Sequence, residues 1–327
     1  MKVVIFEYVS SGVYREPLYP DLMIEADLMV NALGQGLAEA DCELVLFRNP
    51  SLPPPLFDAK IIPLTEKDDW HSILEEELHL ADAYIPLAPE SDALLENLCL
   101  KATQTHCTLL NTAAETVRKT ADKLYTLQQL KANHIPCLAC DPIDACVFPM
   151  SEDRVIKPND GIACDYTFLI RAGDIPTAEQ RRYTQICQPY LPGIAASLSV
   201  IYADNSKPCI LGVNRQEITI NEHGCFRLDT CHVNALAHLQ LDFDHLAAAV
   251  KKCFTDLVGY VGIDFIIHDN IPYILEVNPR LTTSFAGIAS TTGINPCAML
   301  LAAVCGDPLP CPKRSEFSSR TIVLSEE

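Results

Sequence analysis

A short segment near the C-terminus, YILEVNPR, starts as an apolar strand and then carries polar side chains at alternate positions. Because side chains alternate across a strand, Glu276 and Asn278 share one face, and Arg280 follows on the same side beyond Pro279. The preceding apolar run, GIDFII, contains Asp264. Two buried carboxylates on facing strands need a cation between them or must take up a proton. Asp264, Glu276 and Asn278 offer hard oxygen ligands and therefore predict a site for Mg²⁺, with Mn²⁺ as an alternative, held together with substrate phosphates.

The register of this hairpin decides whether the two acids meet. A two-residue turn in HDNIP would pair Asp264 with Leu275 and direct it away from Glu276. A turn with an odd number of residues, or a bulge, brings both acids to one face. We predict a turn of three or five residues around 268–272. Exposed carboxylates on a solvated sheet face are the alternative, although apolar neighbours flank both acids.

Two lysines upstream lie at the edges of predicted elements. Lys157 ends the apolar run RVIK and precedes Pro-Asn-Asp-Gly, an arrangement that can surround an anion with a point charge and loop N–H groups. Lys123 opens the predicted helix ADKLYTLQQLKAN. A solvated surface lysine is the alternative interpretation of Lys123.

The elements that must position these residues follow from the hydrophobic pattern. Residues 1 to about 110 alternate strand-like and helix-like segments, which predicts a small parallel sheet covered on both faces. A helix and short strands with turns follow from about 113 to 185. Strands dominate from about 186 onward, and a helix near 242–258 precedes the last hairpin. The chain therefore has the length and pattern of two or three domains.

Charge and composition exclude several classes of partner. The net charge is −19, from 24 basic and 43 acidic residues, which argues against nucleic acid. The N-terminus does not resemble a signal segment, and no apolar run reaches 18 residues, so we expect a cytoplasmic protein with no membrane partner. Fifteen cysteines in such a protein predict reduced thiols. The one CxxC, Cys137 to Cys140, lacks a partner pair at zinc-site spacing, which favours core packing over a metal or redox role.

The paired segments DFII and LEVNPR resemble the metal-binding hairpin of the ATP-grasp superfamily. Upstream, ADKLYTLQQLKANHIPCL and RVIKPNDGIACD resemble its two lysine segments, and CQPYLPGIAASLSVI resembles the segment that lines its adenine pocket, with Gly193 and Ser197 beside it. This resemblance implies an α/β (α+β) ATP-grasp fold in which the nucleotide lies between two α+β subdomains. The implied units are a Rossmann-like pre-ATP-grasp domain (1–112), a central subdomain with the phosphate loop (113–186) and a C-terminal subdomain with the metal site (187–327).

The resemblance also implies roles for individual residues. ATP would contact Lys123, Lys157, Gly161, Gln188, Tyr190, Asp264 and Glu276. Arg280, Arg215 and Lys157 are the catalytic candidates for stabilising the transferring phosphoryl group, and an ordinary ion pair is the alternative for Arg215. Two departures from the family pattern are Ala163, where a second glycine is common, and Pro189, where many members carry a glutamate. Ribose recognition is therefore unassigned.

Members of this superfamily use ATP to convert a carboxylate into an acyl phosphate, which an amine then attacks. The segments FEY-x-x-SG, APESDALLENL and NPRLTTSF further resemble tyramine-glutamate ligases of methanofuran biosynthesis. This implies small-molecule substrates, namely glutamate, which reacts through its γ-carboxyl, and tyramine or tyrosine. The resemblance is also compatible with a homodimer. A ligase for another amino acid or amine and an idle ATP-binding regulatory protein are the alternatives. The substrate candidates, for which loop turns and helix capping are the alternatives, are Ser10, Ser11, Gly12, Arg15, Glu90, Thr282, Thr283 and Ser284.

Overall fold

The N-terminal part of the chain folds around a parallel sheet. The computed structural model describes residues 1–14, 20–162, 164–204 and 206–324. Five parallel strands lie in the order β3-β2-β1-β4-β5. The elements are β1 Lys2–Glu7, α1 Pro20–Glu39, β2 Glu43–Arg48, β3 Lys60–Pro63, α2 Trp70–His79, β4 Ala83–Leu87, α3 Leu94–Thr103, β5 Thr108–Leu109 and α4 Ala114–Ala121.

Helices cover both faces of this sheet, which explains why β1, β2 and β4 are almost continuously apolar. Helix α1 packs on one face, together with residues near the C-terminus. Helices α2, α3 and α4 cover the other face. The predicted parallel sheet with two covered faces is confirmed.

A small antiparallel sheet forms the central part. Its strands lie in the order β6-β9-β7-β8 around a core that includes Ile156, Ile170 and Cys187. The elements are α5 Lys123–Ala132, β6 Asp141–Pro142, β7 Arg154–Lys157, β8 Phe168–Ile170, α6 Ala178–Arg181 and β9 Ile186–Pro189. The sheet thus extends to Pro189, past the predicted boundary at 186.

The C-terminal part is a larger antiparallel sheet in the order β14-β13-β10-β11-β12-β15. One face packs on α5 and on a later helix, α7, with Phe243 and Phe265 in the shared core. The other face carries polar side chains in its central strands. The elements are β10 Ile194–Tyr202, β11 Cys209–Ile220, β12 Phe226–Val233, α7 Phe243–Cys253, β13 Gly259–His268, β14 Ile271–Asn278, α8 Phe285–Thr292, α9 Pro296–Cys305 and β15 Arg320–Val323.

Helices α8 and α9 pack against α1 and belong to the same core as the parallel sheet. In the ranges that the structure describes, no helix alone has the length and apolar character to cross a bilayer, whereas α8 and α9, bent by 104°, meet both criteria as a pair. Cys137 and Cys140 lie partly buried beside the core of the C-terminal sheet, and their thiols are free.

The turn of the last hairpin is shorter than predicted. His268 pairs with Ile271, so only Asp269 and Asn270 form the turn, with φ of +48° and +61°. Two consecutive residues with positive φ are typical of a two-residue hairpin turn, and Asp and Asn tolerate this conformation. The prediction of a three- or five-residue turn was therefore wrong.

A bulge in β14 compensates for the even turn. Phe265 pairs with Ile274, whereas Asp264 pairs directly with Glu276. Leu275 is the extra residue, and the register shifts by one position there. The sequence allowed either a turn with an odd number of residues or a bulge to bring the acids together. The bulge is the feature that places Asp264 and Glu276 on one face.

The two-residue turn predicts how stability depends on position 270. Asn270→Val places a β-branched residue at positive φ and should lower the free energy of unfolding by about 1–2 kcal/mol. Asn270→Gly relieves the same constraint and should keep the free energy of unfolding or raise it by up to about 1 kcal/mol. Urea denaturation of the three proteins measures both effects. Equal stability of the valine and glycine variants would contradict this turn geometry.

Candidate active site

A cleft opens between the central and C-terminal sheets, and the N-terminal domain closes one end. It encloses about 1740 Å³, counting the part open to solvent. Three groups of side chains line it. Strands β7 and β9 contribute Val155, Lys157 and Gln188. The C-terminal sheet contributes Ser197, Gln216, Asp264 and Glu276. The N-terminal domain contributes Glu7, Val9 and Glu25.

The two acids of the hairpin form the polar centre of the cleft. Asn278 donates from Nδ2 to Asp264 Oδ2 at 2.7 Å and to Glu276 Oε1 at 3.4 Å. Gln216 donates from Nε2 to Asp264 Oδ1 at 2.9 Å. Gln216 was not among the residues predicted from the sequence, although it occupies the strand position next to Arg215 and faces the cleft. The predicted metal ligands are thus brought together, with a second amide beside them.

The charges of the two acids are balanced unequally. Burial raises the pKa of the Asp264 carboxyl, and the Glu276 carboxylate raises it further. Burial also opposes ionisation of Glu276, but the ammonium groups of Lys123 and Lys157 outweigh it and hold the pKa of Glu276 below its usual value. Lys123 Nζ lies 3.2 Å from Glu276 Oε2. The lysines therefore compensate Glu276, whereas at Asp264 burial and the Glu276 carboxylate outweigh the Arg280 guanidinium, so the pKa of Asp264 stays raised.

This donor set fits a hard divalent cation. The described part of the chain contains no group of three or more His, Cys, Asp or Glu residues suited to a metal. Asp264 and Glu276 provide carboxylate oxygens, and the Asn278 amide would present its oxygen to a metal after rotating its Nδ2 away from the two acids. Mg²⁺ is commonly held by one or two carboxylates plus water and phosphate oxygens. The set therefore suits a metal that is bound together with a nucleotide.

The two lysines also border the phosphate loop, residues 158–167, of which Ala163 lies outside the described residues. Lys123 is 5% exposed, and its Nζ donates to the carbonyl oxygen of Gly161 at 2.5 Å. Lys157, at the end of β7, is also buried, and its burial lowers its pKa, while Glu276 acts in the opposite direction. Two buried ammonium groups beside a glycine-containing loop can balance the charge of a polyphosphate.

The opposite end of the cleft is mostly apolar. Leu138, Val155, Leu191, Ile266 and Leu275 line it. Gln188 is 2% exposed, and its Nε2 has no hydrogen-bond partner among the described residues. An apolar slot with one buried, unpaired amide fits a heteroaromatic ring that can accept a hydrogen bond.

Two further residues shape this apolar end. Tyr190 lines the cleft beside Gln188. A Cβ on Gly193 would overlap the carbonyl oxygen of Ile267, so glycine permits the close approach of the two chain segments there. The predicted nucleotide contacts at Gln188 and Tyr190 therefore share one surface.

The two arginine candidates lie in different places. Arg280 lines the cleft and donates from Nε to Glu90 Oε2 at 2.8 Å. Arg215 faces the opposite side of β11 from Gln216; its side chain is 54% exposed and lies 4.0 Å from Glu217. The interpretation of Arg215 as a catalytic residue is not supported, because strand alternation directs it away from the cleft.

The serines after β1 turn the chain and do not line the cleft. Ser10 donates from its backbone N–H to Glu7, and Ser11 Oγ donates to the carbonyl oxygen of Tyr8 at 2.9 Å. Gly12 has φ of +100°, and a Cβ there would lie 2.7 Å from the carbonyl oxygen of Leu64. The structural alternative therefore accounts for Ser10, Ser11 and Gly12, and Arg15 lies outside the described residues.

Residues Thr282, Thr283 and Ser284 do line the cleft. Thr283 donates from Oγ1 to Glu25 Oε1, which ties the loop after β14 to α1. Ser284 Oγ lies 2.9 Å from Ser199 Oγ in a buried hydroxyl network. Glu90 is outside the described cleft lining and contacts Arg280 instead, so the substrate candidates that line this end are Thr282, Thr283 and Ser284.

Sequence comparison identifies two domains in the chain. A family model of the ATP-grasp domain matches residues 120–284, about half of the chain. A model of the pre ATP-grasp 3 domain matches residues 42–117. The first match spans both lysines, the phosphate loop and the acidic hairpin.

Three relatives illustrate the similarity. Tyramine–L-glutamate ligase from Methanocaldococcus fervens is 26% identical over 296 residues, which cover 88% of this chain and 89% of the relative. An ATP-grasp superfamily protein from Archaeoglobus fulgidus has a similar structure, with a TM-score of 0.72, 21% identity and coverage of 99% and 92% of the two chains. An L-amino acid ligase from Bacillus licheniformis has a TM-score of 0.61, 13% identity and coverage of 97% and 75%. The domain match and the shared fold show that this chain belongs to the ATP-grasp family.

Proposed function

We propose that this ATP-dependent C–N ligase joins the γ-carboxyl of glutamate to tyramine or tyrosine, in a pathway of the methanofuran type. The observation that carries the proposal is the meeting of Asp264, Glu276, Lys123 and Lys157 in one cleft with an apolar slot at its far end. The ligase from Methanocaldococcus fervens, similar over most of both chains, supports the choice of substrates.

The phosphate end of the cleft supports activation of a carboxylate. Lys123 and Lys157 place positive charge beside Glu276, where the phosphate chain of ATP would lie. Mg²⁺ held by Asp264, Glu276 and Asn278 would supply further charge compensation for the phosphates. Arg280 lines the same end and can stabilise the oxygens of the transferring phosphoryl group. The phosphate loop can exclude water from the acyl phosphate before the amine attacks.

The end of the cleft near the N-terminal domain is acidic. Glu7 and Glu25 line it, and no basic side chain of the N-terminal domain is among the described lining residues. A carboxylate attracts an ammonium group, and both glutamate and an amine acceptor carry one. Burial raises the pKa of Glu7, whose oxygens accept from the Val9 and Ser10 N–H groups, so the Glu25 carboxylate is the group of this wall that supports an amino acid or amine as substrate.

Two alternatives make different demands on the site. A ligase with another amine would share the nucleotide end and differ in the groups that meet the N-terminal domain. An idle ATP-binding protein would not need the complete set of Asp264, Glu276 and Asn278, which hydrogen bonds hold together here.

The proposed reaction predicts a defined product. Incubation with Mg-ATP, glutamate and either tyramine or tyrosine should release ADP and form the γ-glutamyl amide, which mass spectrometry detects. Hydroxylamine can trap the acyl phosphate in the absence of an amine. ADP release with glutamate but no amide would reject both amines, and no ADP release with any amino acid would favour the idle ATP-binding protein.

The acidic pair predicts the effect of removing one charge. Glu276→Gln keeps the side-chain shape but removes the carboxylate that faces Lys123, and ADP release should fall roughly 100-fold or more. Glu217→Gln is the matched control, because Glu217 lies on β11 with its side chain 47% exposed and outside the described cleft lining. We expect this control to keep its activity within about 3-fold, in line with a surface ion pair. Comparable activity of the two variants would contradict the site assignment, provided that both unfold at the temperature of the unaltered protein.

A further inference from the structure

A short turn of the N-terminal domain, Glu90–Asp92, reaches both walls of the nucleotide cleft. On one side, Glu90 Oε2 accepts a hydrogen bond from Arg280 Nε at 2.8 Å. The side chains of this ion pair are 4% and 15% exposed, and the two residues are 190 positions apart. A buried ion pair over this sequence distance fixes the N-terminal domain against the loop that follows the acidic hairpin.

The other side of the turn contacts the phosphate loop. Ser91 Oγ donates to the carbonyl oxygen of Asp160 at 3.1 Å. The backbone N–H of Asp92 donates to Asp160 Oδ2 at 3.1 Å. Asp92 and Ala93 have φ of +53° and +57°. Two consecutive non-glycine residues in this region are unfavourable, and the surrounding contacts must hold them there.

The contacts of Arg280 restrict the direction of its guanidinium. Nε is paired with Glu90, and Nη1 donates to the carbonyl oxygen of Leu281 at 3.2 Å. Arg280 also lines the cleft. Glu90 Oε1 is buried and has no hydrogen-bond partner in the described part of the chain. Arg280 is therefore the side chain through which Glu90 can act on the cleft.

We propose that Glu90 is a positioning residue for Arg280, and that the turn Glu90–Asp92 aligns Arg280 with the phosphate loop. The inference rests on the proposed function, in which both elements flank the transferring phosphoryl group. A group that is misplaced by about 1 Å can lose much of its catalytic effect. Glu90 therefore contributes to turnover through Arg280, without contacting the substrate itself.

A double-mutant cycle tests this positioning role. Glu90→Gln should lower kcat for ADP release by roughly 10-fold or more while the KM for Mg-ATP changes by less than about 3-fold. Arg280→Lys alone should lower kcat at least as much, since lysine lacks the Nε contact and the planar fork. If Glu90 acts through Arg280, the double variant should be no more than about 3-fold slower than Arg280→Lys alone.

The contact with the phosphate loop has a matched pair of variants. Asp160→Asn keeps an oxygen that can accept from the Asp92 N–H, whereas Asp160→Ala removes it. Asp160→Ala should raise the KM for Mg-ATP several-fold, and Asp160→Asn should raise it at least about 2-fold less than Asp160→Ala does. This pair does not alter the buried ion pair, so it remains informative if Glu90→Gln fails to fold.

The outcomes separate this inference from the proposed function. The positioning role would be overturned if the kcat losses of Glu90→Gln and Arg280→Lys multiplied in the double variant. It would also be overturned if the two Asp160 variants had equal KM values for Mg-ATP. Neither result would contradict the proposed reaction. No ADP release by the unaltered protein with any amino acid would overturn the proposed function and the positioning role together. If Glu90→Gln instead unfolds at a lower temperature and keeps its kcat unchanged, Glu90 only stabilises the fold through Arg280. That result would also overturn the inference.

Discussion

The rest of the site depends on two carboxylates that face each other across neighbouring strands. Asp264 and Glu276 are paired in register, and burial makes their mutual repulsion costly. Lys123 and Lys157 compensate Glu276, and two amides donate to Asp264. What remains is the Asp264 carboxyl, whose pKa burial and the Glu276 carboxylate raise although Arg280 acts in the opposite direction. A divalent cation bound with a nucleotide, as proposed above, would favour the ionised form of Asp264, so the arrangement of the two acids would favour the nucleotide-bound protein.

Much of the fold, and the positions of several residues at the nucleotide end, could be predicted from the sequence. Both depend on patterns of apolar and polar residues that repeat every few positions. Alternating strands and helices in the first 110 residues gave the parallel sheet, and the period of two placed Glu276 and Asn278 on one face. The same period separates Arg215 from Gln216, but it cannot tell which of the two faces the cleft. The answer depends on which face of β11 lies towards the central sheet across the cleft. Gln216 lies on that face and Arg215 on the other.

Other features have no short-range signal. Asp269 and Asn270 permit a two-residue turn, but the bulge at Leu275 shows only in the pairing of two whole strands. Ser10, Ser11 and Gly12 have the composition of a ligand loop and also of a tight turn, and local contacts decide for the turn. The ion pair of Glu90 and Arg280 joins distant parts of the chain, which no local pattern predicts.

The bulge at Leu275 imposes a parity rule on the hairpin. Two turn residues and one bulge residue make an odd total, and an odd total keeps Asp264 and Glu276 on the same face. The number of turn residues and the number of bulge residues can each vary among relatives. An even sum of the two would place the acids on opposite faces. A relative with a three-residue turn should therefore lack the bulge, and one with a four-residue turn should keep it. Insertions and deletions in an alignment of this hairpin should accordingly change its length between the two acids by an even number of residues, so gap placement there carries structural information.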